Sequence, residues 1–155
     1  MRPTAKWLFR LMLINAVIWA VGQAITRSKT SSDLTADDLE FYTFWNGDEF
    51  VARSGSLRSV KAQTVMGGAT IDLREAIPSE QGLSVDVDTR MAGTAVLVPR
   101  GWNVDVVEET RSSEVVIKID HVEGELADGP EVTINLRTTF GGALVGHELP
   151  ADYTT

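Results

Sequence analysis

Glycine corners recur along this chain and restrict its fold more than any other feature. The clearest lies in the segment Val65–Ala76, where a glycine pair ending at Gly68 precedes a short strand of alternating apolar and polar residues. Gly47 stands 21 residues before Gly68, and Gly93 stands 25 residues after it. Gly142 follows Gly93 by 49 residues, which is close to two such steps. A spacing between about 20 and 50 residues is typical of stacked supersecondary units.

We expect these corners to join strands that pile into successive coils. Glycine adopts positive φ at little steric cost, so it allows a sharp turn. A short strand after the turn cannot bury its apolar face alone and needs the next coil against it. The spacing predicts a further corner near Ile117, where the sequence has no glycine, so the repeat is imperfect. The alternative is a set of unrelated hairpin turns, since Gly-Gly is a common turn pair.

The segments between the corners alternate as half-buried strands do. Val85 and Val87 fall on one face of their strand, with Asp86 and Asp88 on the other. Short strands punctuated by glycine predict an all-β domain. Further strands are expected at Leu57–Val65, Thr94–Val98, Trp102–Val106, Glu114–Asp120, Glu131–Thr138 and Leu144–Leu149, with polar loops at Glu108–Ser113 and His121–Pro130.

The N-terminal segment has the composition of a membrane span. Trp7–Ile25 is 19 mostly apolar residues, and as a helix it is about 28 Å long, close to the thickness of bilayer hydrocarbon. Arg10 lies near one end, where its long side chain can carry the charge to the headgroups. We therefore expect one transmembrane helix within residues 1–25. The alternative is a cleaved signal peptide with the apolar core Leu11–Val21 and a small-residue site at residues 22–24.

The residues after the apolar segment are polar and predict a linker over 26–40. Thr26–Asp33 has the composition of a flexible spacer. Thr35–Asp38 has the capping pattern of a helix start, which predicts a short helical turn through Glu40. The aromatic residues that follow are expected to close the open end of the core, and the alternative is a sugar- or lipid-contacting face. They are Phe41, Tyr42, Phe44 and Trp45.

Charge is distributed unevenly along the chain. The net charge is −8, yet residues 1–31 contain five basic residues and no acidic one, so the remainder carries −13. A domain this acidic disfavours binding to nucleic acid and to anionic lipid. Basic residues flank the apolar helix on both sides, and the positive-inside rule favours a cytoplasmic N-terminus with the β domain on the extracytoplasmic side.

No residue pattern in the sequence predicts a catalytic, cofactor-binding or metal site. The chain has no cysteine, and His121 and His147 lack partners at zinc-ligand spacing. Asp86 and Asp88 could together hold a hard cation, but no further ligand pattern supports this. The cluster of Asp72, Arg74 and Glu75 is expected to form ion pairs on a solvated corner. Nucleophile-elbow and phosphate-loop motifs are absent, so we expect a non-enzymatic domain.

Three motifs in the same order resemble the C-terminal domain of LiaF-like, cell-wall-active antibiotic response membrane proteins. They are the corner Met66-Gly67-Gly68 with the exit Asp72–Ala76, the segment Val98–Val104, and the corner Phe140-Gly141-Gly142. The resemblance covers residues 41–147. It implies a right-handed β-solenoid attached to membrane segments, and a role in envelope stress through protein contacts, commonly with a two-component sensor. This chain differs in having a single span, and in Met66 where the family has Phe.

These observations predict a bacterial single-pass membrane protein with a β-solenoid-like domain over 41–149 and a polar tail over 150–155. Its function is expected to be binding or regulation in the cell envelope, through a protein partner and with homo-oligomers formed at exposed sheet edges. The first alternative is a secreted or periplasmic structural or ligand-binding β domain with its signal peptide removed. A cell-wall hydrolase is a further alternative.

Overall fold

The structure, a computed structural model, describes residues 3–119 and 129–149. One long helix, α1 (Pro3–Lys29), precedes ten short strands. The strands are β1 (Asp38–Phe44), β2 (Gly47–Val51), β3 (Ser59–Val65), β4 (Gly68–Asp72), β5 (Leu83–Arg90), β6 (Gly93–Leu97), β7 (Asn103–Arg111), β8 (Glu114–Lys118), β9 (Glu131–Thr139) and β10 (Gly142–Gly146).

Consecutive strands alternate between two sheets, and each corner connects one sheet to the other. The first sheet has the order β1-β3-β5-β9-β7 and the second has the order β2-β4-β6-β10-β8. Pairing within both sheets is parallel. The expected β-rich domain of stacked short strands behind an apolar helix is therefore present, whereas the right-handed solenoid stays a prediction.

We call each first-sheet strand together with the second-sheet strand that follows it a coil. The coils do not stack in the order of the sequence. β9 and β10 lie between the β5-β6 coil and the β7-β8 coil, so the last coil of the chain is the fourth in space. Gly142 accordingly pairs with Gly93 on one side and with Glu114 on the other. The corner that the spacing places near Ile117 is formed earlier, at Ser112 and Ser113. The expectation of simple succession was therefore wrong, because the last coil inserts between two earlier ones.

The glycines at the corners serve a different purpose from the one expected. The positive φ angles fall one residue before each glycine pair or its equivalent, at Trp45, Met66, Met91, Ser112 and Phe140. Gly67 is required by close approach, because a Cβ there would overlap the carbonyl oxygen of Asn46 in the neighbouring corner. Gly141 stands against Ala92 in the same way. Glycine thus permits tight stacking of the corners, and the left-handed residue makes the turn.

The core lies between the two sheets and a third run of chain that returns from the second sheet to the first. Valine, leucine and isoleucine from both sheets fill it, and Leu57, Leu73 and Val98 from the returning segments complete it. The backbone ladder continues there, since the amides of Leu73 and Val98 donate to the carbonyls of Leu97 and Gly146. Four buried threonines stack in register beside the corners: Thr43, Thr64, Thr89 and Thr138.

Two local predictions were wrong. The helical turn expected through Glu40 is instead the start of β1, whose Leu39 and Phe41 alternate into the core. The loop expected over Glu108–Ser113 is strand as far as Arg111, because pairing with β9 extends it. Most of the loop expected at His121–Pro130 and the whole tail 150–155 lie outside the described residues.

The segment expected to be a flexible spacer is attached to the domain. α1 continues to Lys29, so the helix ends later and β1 begins earlier than the predicted bounds of 25 and 41. Thr30 and Ser31 then form hydrogen bonds with the backbone groups on the outer edge of β1. The Thr30 hydroxyl accepts from the Tyr42 amide at 3.1 Å and donates to its carbonyl at 3.2 Å. The Ser31 amide donates to the Glu40 carbonyl at 2.7 Å, and its hydroxyl accepts from the Glu40 amide.

Aromatic residues close the same end of the stack, as expected for a terminal coil. Phe41 is buried and its ring lies 4.4 Å from that of Phe50 in a stacked arrangement. The Phe44 ring packs directly on Gly22 of α1, which has no side chain to prevent the contact. Trp45 differs from the others, since it is 54% exposed.

Candidate binding groove

Small residues form the outer face of the second sheet. Because the strands are parallel and in register, equivalent positions fall into rows across the sheet. Gly47, Gly68, Gly93 and Gly142 form the first row, which ends at Glu114. The next outward row contains Glu49, Thr70, Ala95, Leu144 and Val116.

These two rows form a groove of about 550 Å³. Its floor is largely backbone, because four of the five residues in the first row are glycine. Leu144, Val116 and Leu149 give it an apolar lining. Carboxylates lie at both ends, with Asp48 and Glu49 on β2 and Glu114 on β8. We name this surface the glycine groove.

An ion pair lies beside the glycine groove, at the ends of the second-sheet strands. Asp72 is buried, and its carboxylate accepts from the Arg74 guanidinium at 2.9 and 2.6 Å. The Arg74 hydrogen bond lowers the pKa of Asp72, although burial opposes this shift. The same bond raises the pKa of Arg74, with further favourable charge from Glu148 and Glu49. Glu75, expected in this cluster, pairs instead with Arg53 at 2.9 Å.

The outer face of the first sheet is polar, and its charges are largely paired. Asp86 accepts from the Asn135 side chain at 2.9 Å, and Asp88 pairs with Arg90 at 2.7 Å. Both carboxylates lie on the outward face as predicted, and each has a side-chain partner there. Among residues 3–119 and 129–149, no group of three or more His, Asp and Glu side chains is arranged to hold a metal ion.

The remaining residues considered for chemistry are dispersed. His147 lies near the end of β10, with its Nδ1 atom 3.0 Å from the Val98 carbonyl oxygen, and His121 falls outside the described residues. The lining of the glycine groove offers apolar contact and shape, with carboxylates at its ends, and this arrangement is suited to binding.

The sequence analysis did not find the glycine groove. Its signal was present as a glycine at the first position of three five-residue strands, followed in two of them by a small residue at the third position. That signal predicts a groove only when the strand register is known, because the register places those positions side by side. No family model, curated protein or solved structure matches the chain. The resemblance to LiaF-like domains therefore stays a prediction.

Proposed function

We propose that this protein is a membrane-tethered, non-catalytic binding protein of the bacterial cell envelope, and that its β domain binds a protein partner in the glycine groove. The groove itself is the observation that carries the proposal. A floor of in-register glycines lets a partner chain approach the backbone closely. The apolar lining with carboxylates at both ends fits a polypeptide segment with an apolar centre and basic flanks. The envelope-stress role follows from the resemblance to LiaF-like proteins.

Two observations support the membrane tether. The segment Trp7–Lys29 is long and apolar enough to cross a membrane, and the side chains of residues 7–21 are exposed rather than packed against the β domain. The contact between Gly22 and Phe44 favours a retained anchor over a cleaved signal peptide, because cleavage near residue 24 would remove it. Sequencing the N-terminus of the mature protein tests this: a start near Ile25 would favour the secreted alternative.

Photocrosslinking tests the glycine groove as the binding site. A photoreactive amino acid replaces Thr70 in the groove or, as a matched control, Gln63 on the outer face of the first sheet. After exposure of the cells to a cell-wall antibiotic, we expect a protein adduct at Thr70 and none at Gln63. Adding Ala95→Trp, which fills the groove, should abolish the Thr70 adduct. Equal adducts at both positions, or an adduct unaffected by Ala95→Trp, would reject the groove.

A further inference from the structure

Large apolar side chains form a ridge along the corners that join the first sheet to the second, and all of them except the half-buried Met66 are exposed. Each is the residue with positive φ in its coil: Trp45, Met66, Met91 and Phe140. Hydrogen bonds keep these corners in register, since each ridge amide donates to the last strand residue of the next coil at 2.9 to 3.1 Å. Four coils at the spacing of neighbouring strands make the ridge about 14 Å long. We name it the corner ridge.

The fold does not need apolar residues on the corner ridge. A bulky side chain at positive φ is strained, and asparagine or glycine would adopt the same turn more readily. Ser112 shows that a small polar residue makes this turn, with φ of 52° at the equivalent corner. Met91 and Phe140 are each 61% exposed, so they contribute little to the core. Strain and exposure together indicate that these side chains serve a contact outside the domain.

The direction of α1 shows which side of the domain the corner ridge faces. Gly22 touches Phe44 at the end of β1, whereas Thr30 and Ser31 bond to Tyr42 and Glu40 further back. The helix therefore runs antiparallel to β1, and its residues before Gly22 extend beyond the Phe44 end. Because the first-sheet strands are parallel, all of their last residues point the same way. The corner ridge follows directly after those residues, so it faces the side toward which the apolar helix projects.

The length of the helix in front of the Phe44 contact determines how deeply Gly22 and Phe44 lie in the bilayer. Trp7–Val21, the part in front of the Phe44 contact, is about 22 Å long as a helix, whereas a bilayer's hydrocarbon is about 30 Å thick. A span that begins near Trp7 must include Gly22 and the residues just after it. Phe44, which packs on Gly22, then lies about one helical turn inside the boundary of the hydrocarbon, and Trp45 is its neighbour in the chain.

We propose that the corner ridge lies in the lipid interface of the membrane that α1 spans, so that the β domain rests on the bilayer with the first-sheet strands pointing into it. This inference rests on the membrane tether of the proposed function. Tryptophan is enriched at this depth, and apolar side chains of surface-bound segments insert into it. Because the domain is acidic, the contact depends on apolar insertion and not on attraction to anionic lipid.

Site-directed spin labelling tests the proposal on the full-length protein in phosphatidylcholine vesicles. The chain has no cysteine, so single cysteines can be labelled without background. Labels at Met91→Cys and Phe140→Cys report on the corner ridge. Ile77→Cys is the matched control, because Ile77 is 63% exposed but lies at the opposite end of the strands. Its neighbour Pro78 pairs with Leu57, which comes shortly before the start of β3. Ile14→Cys reports on the helix.

Collisions with molecular oxygen and with a water-soluble nickel chelate then measure depth. We expect oxygen to dominate at positions 14, 91 and 140, and the nickel chelate to dominate at position 77. If positions 91 and 140 match position 77 while position 14 remains in lipid, the ridge contact is rejected and the tether stands. If position 14 is also aqueous, the tether and this inference both fail.

A second variant tests whether the ridge acts as one surface. Trp45→Ser combined with Met91→Ser keeps the turn, as Ser112 does, and removes two apolar side chains. A label at Phe140→Cys in that background should shift from oxygen-dominated toward nickel-dominated collisions. An unchanged ratio would mean that position 140 is held near lipid by something other than the ridge, which would overturn the proposal.

Discussion

The outer faces of the two sheets differ although their frameworks match. Both sheets have five parallel strands in the equivalent order and register. On the first sheet, long polar side chains face outward and pair with each other, as Arg137 does with Glu109 at 3.0 Å. On the second sheet, glycine, alanine and threonine face outward beside Leu144, and they leave the glycine groove open.

The difference between the two faces shows that the residue type at one repeated position determines the character of a whole surface. In-register stacking places equivalent positions about 4.8 Å apart, so a property repeated in each coil becomes a continuous strip. Polar positions repeated in this way form hydrogen bonds with each other, as Asp86 and Asn135 do. Small positions repeated in this way expose backbone and apolar surface that an outside partner can cover. We therefore expect substitutions on the second sheet and its corners to have larger effects than those on the outer face of the first.

The largest effect is expected at the glycines that enter the second sheet. Gly141→Ala places a methyl group against the carbonyl oxygen of Ala92, so the corner must shift, and we expect a loss of about 3 kcal/mol in the free energy of unfolding. Chemical denaturation of the full-length protein in detergent measures this, followed by the change in tryptophan fluorescence, to which the buried Trp102 contributes.

Gly93→Ala is the matched control for that substitution. A Cβ at Gly93 meets no atom within 4 Å, and alanine is favoured over glycine in a strand by about 0.5 to 1 kcal/mol. We expect this variant to be unchanged or slightly more stable. If Gly93→Ala were as damaging as Gly141→Ala, close stacking of the corners would not be the reason for the glycine pairs.

The next effect concerns the buried threonines between the two sheets. The hydroxyl of Thr89 on β5 and that of Thr94 on β6 are 2.7 Å apart, which links the sheets. Thr89→Val leaves Thr94 without this partner and should cost about 1.5 kcal/mol. The Thr138 hydroxyl has no protein partner among the described residues, so Thr138→Val should be neutral or stabilising by up to about 1 kcal/mol.

The same denaturation measurement separates the two valine variants. We expect Thr89→Val to lower the free energy of unfolding and Thr138→Val to leave it unchanged or raise it. Equal losses would show that both hydroxyls are hydrogen-bonded in solution, and the threonine row would then be one continuous polar network.

A smaller, pH-dependent effect is expected at Asp72 beside the glycine groove. Its pKa is lowered in the folded protein by the Arg74 hydrogen bond, so the carboxylate contributes stability above its unfolded pKa of 3.8. That contribution is lost as the pH falls through the lower folded pKa. Asp72→Asn should remove it at pH 7 and flatten the stability profile below about pH 4. An unaltered slope in Asp72→Asn would assign the acid sensitivity to other carboxylates.

The smallest effect is expected on the outer face of the first sheet. Arg137 and Glu109 are 62% and 75% exposed, and exposed ion pairs contribute between about 0 and 1 kcal/mol. Glu109→Gln should therefore change the free energy of unfolding by less than about 0.5 kcal/mol, and less still in high salt. A loss equal to that of Asp72→Asn would remove the contrast between the two faces.

The sequence alone determined the local structure, because alternation and hydrophobicity are local signals. It specified the apolar helix, most strands, and the inward residues such as Val85 and Val87. It also located most corners, although not the residue that makes the turn. Local errors arose where tertiary pairing decided the outcome, as at the end of β7.

Only the tertiary structure decided the order of the last two coils, the glycine groove and the corner ridge. Each depends on which residues lie side by side across neighbouring coils. Stacking in sequence order would pair Gly142 with Glu114 alone, and Gly142 meets Gly93 only because the last coil inserts between two earlier ones. Repeated corners have nearly equal propensity for any neighbour. The choice among neighbours is therefore made by packing and by the hydrogen-bond ladder, which join residues far apart in the chain.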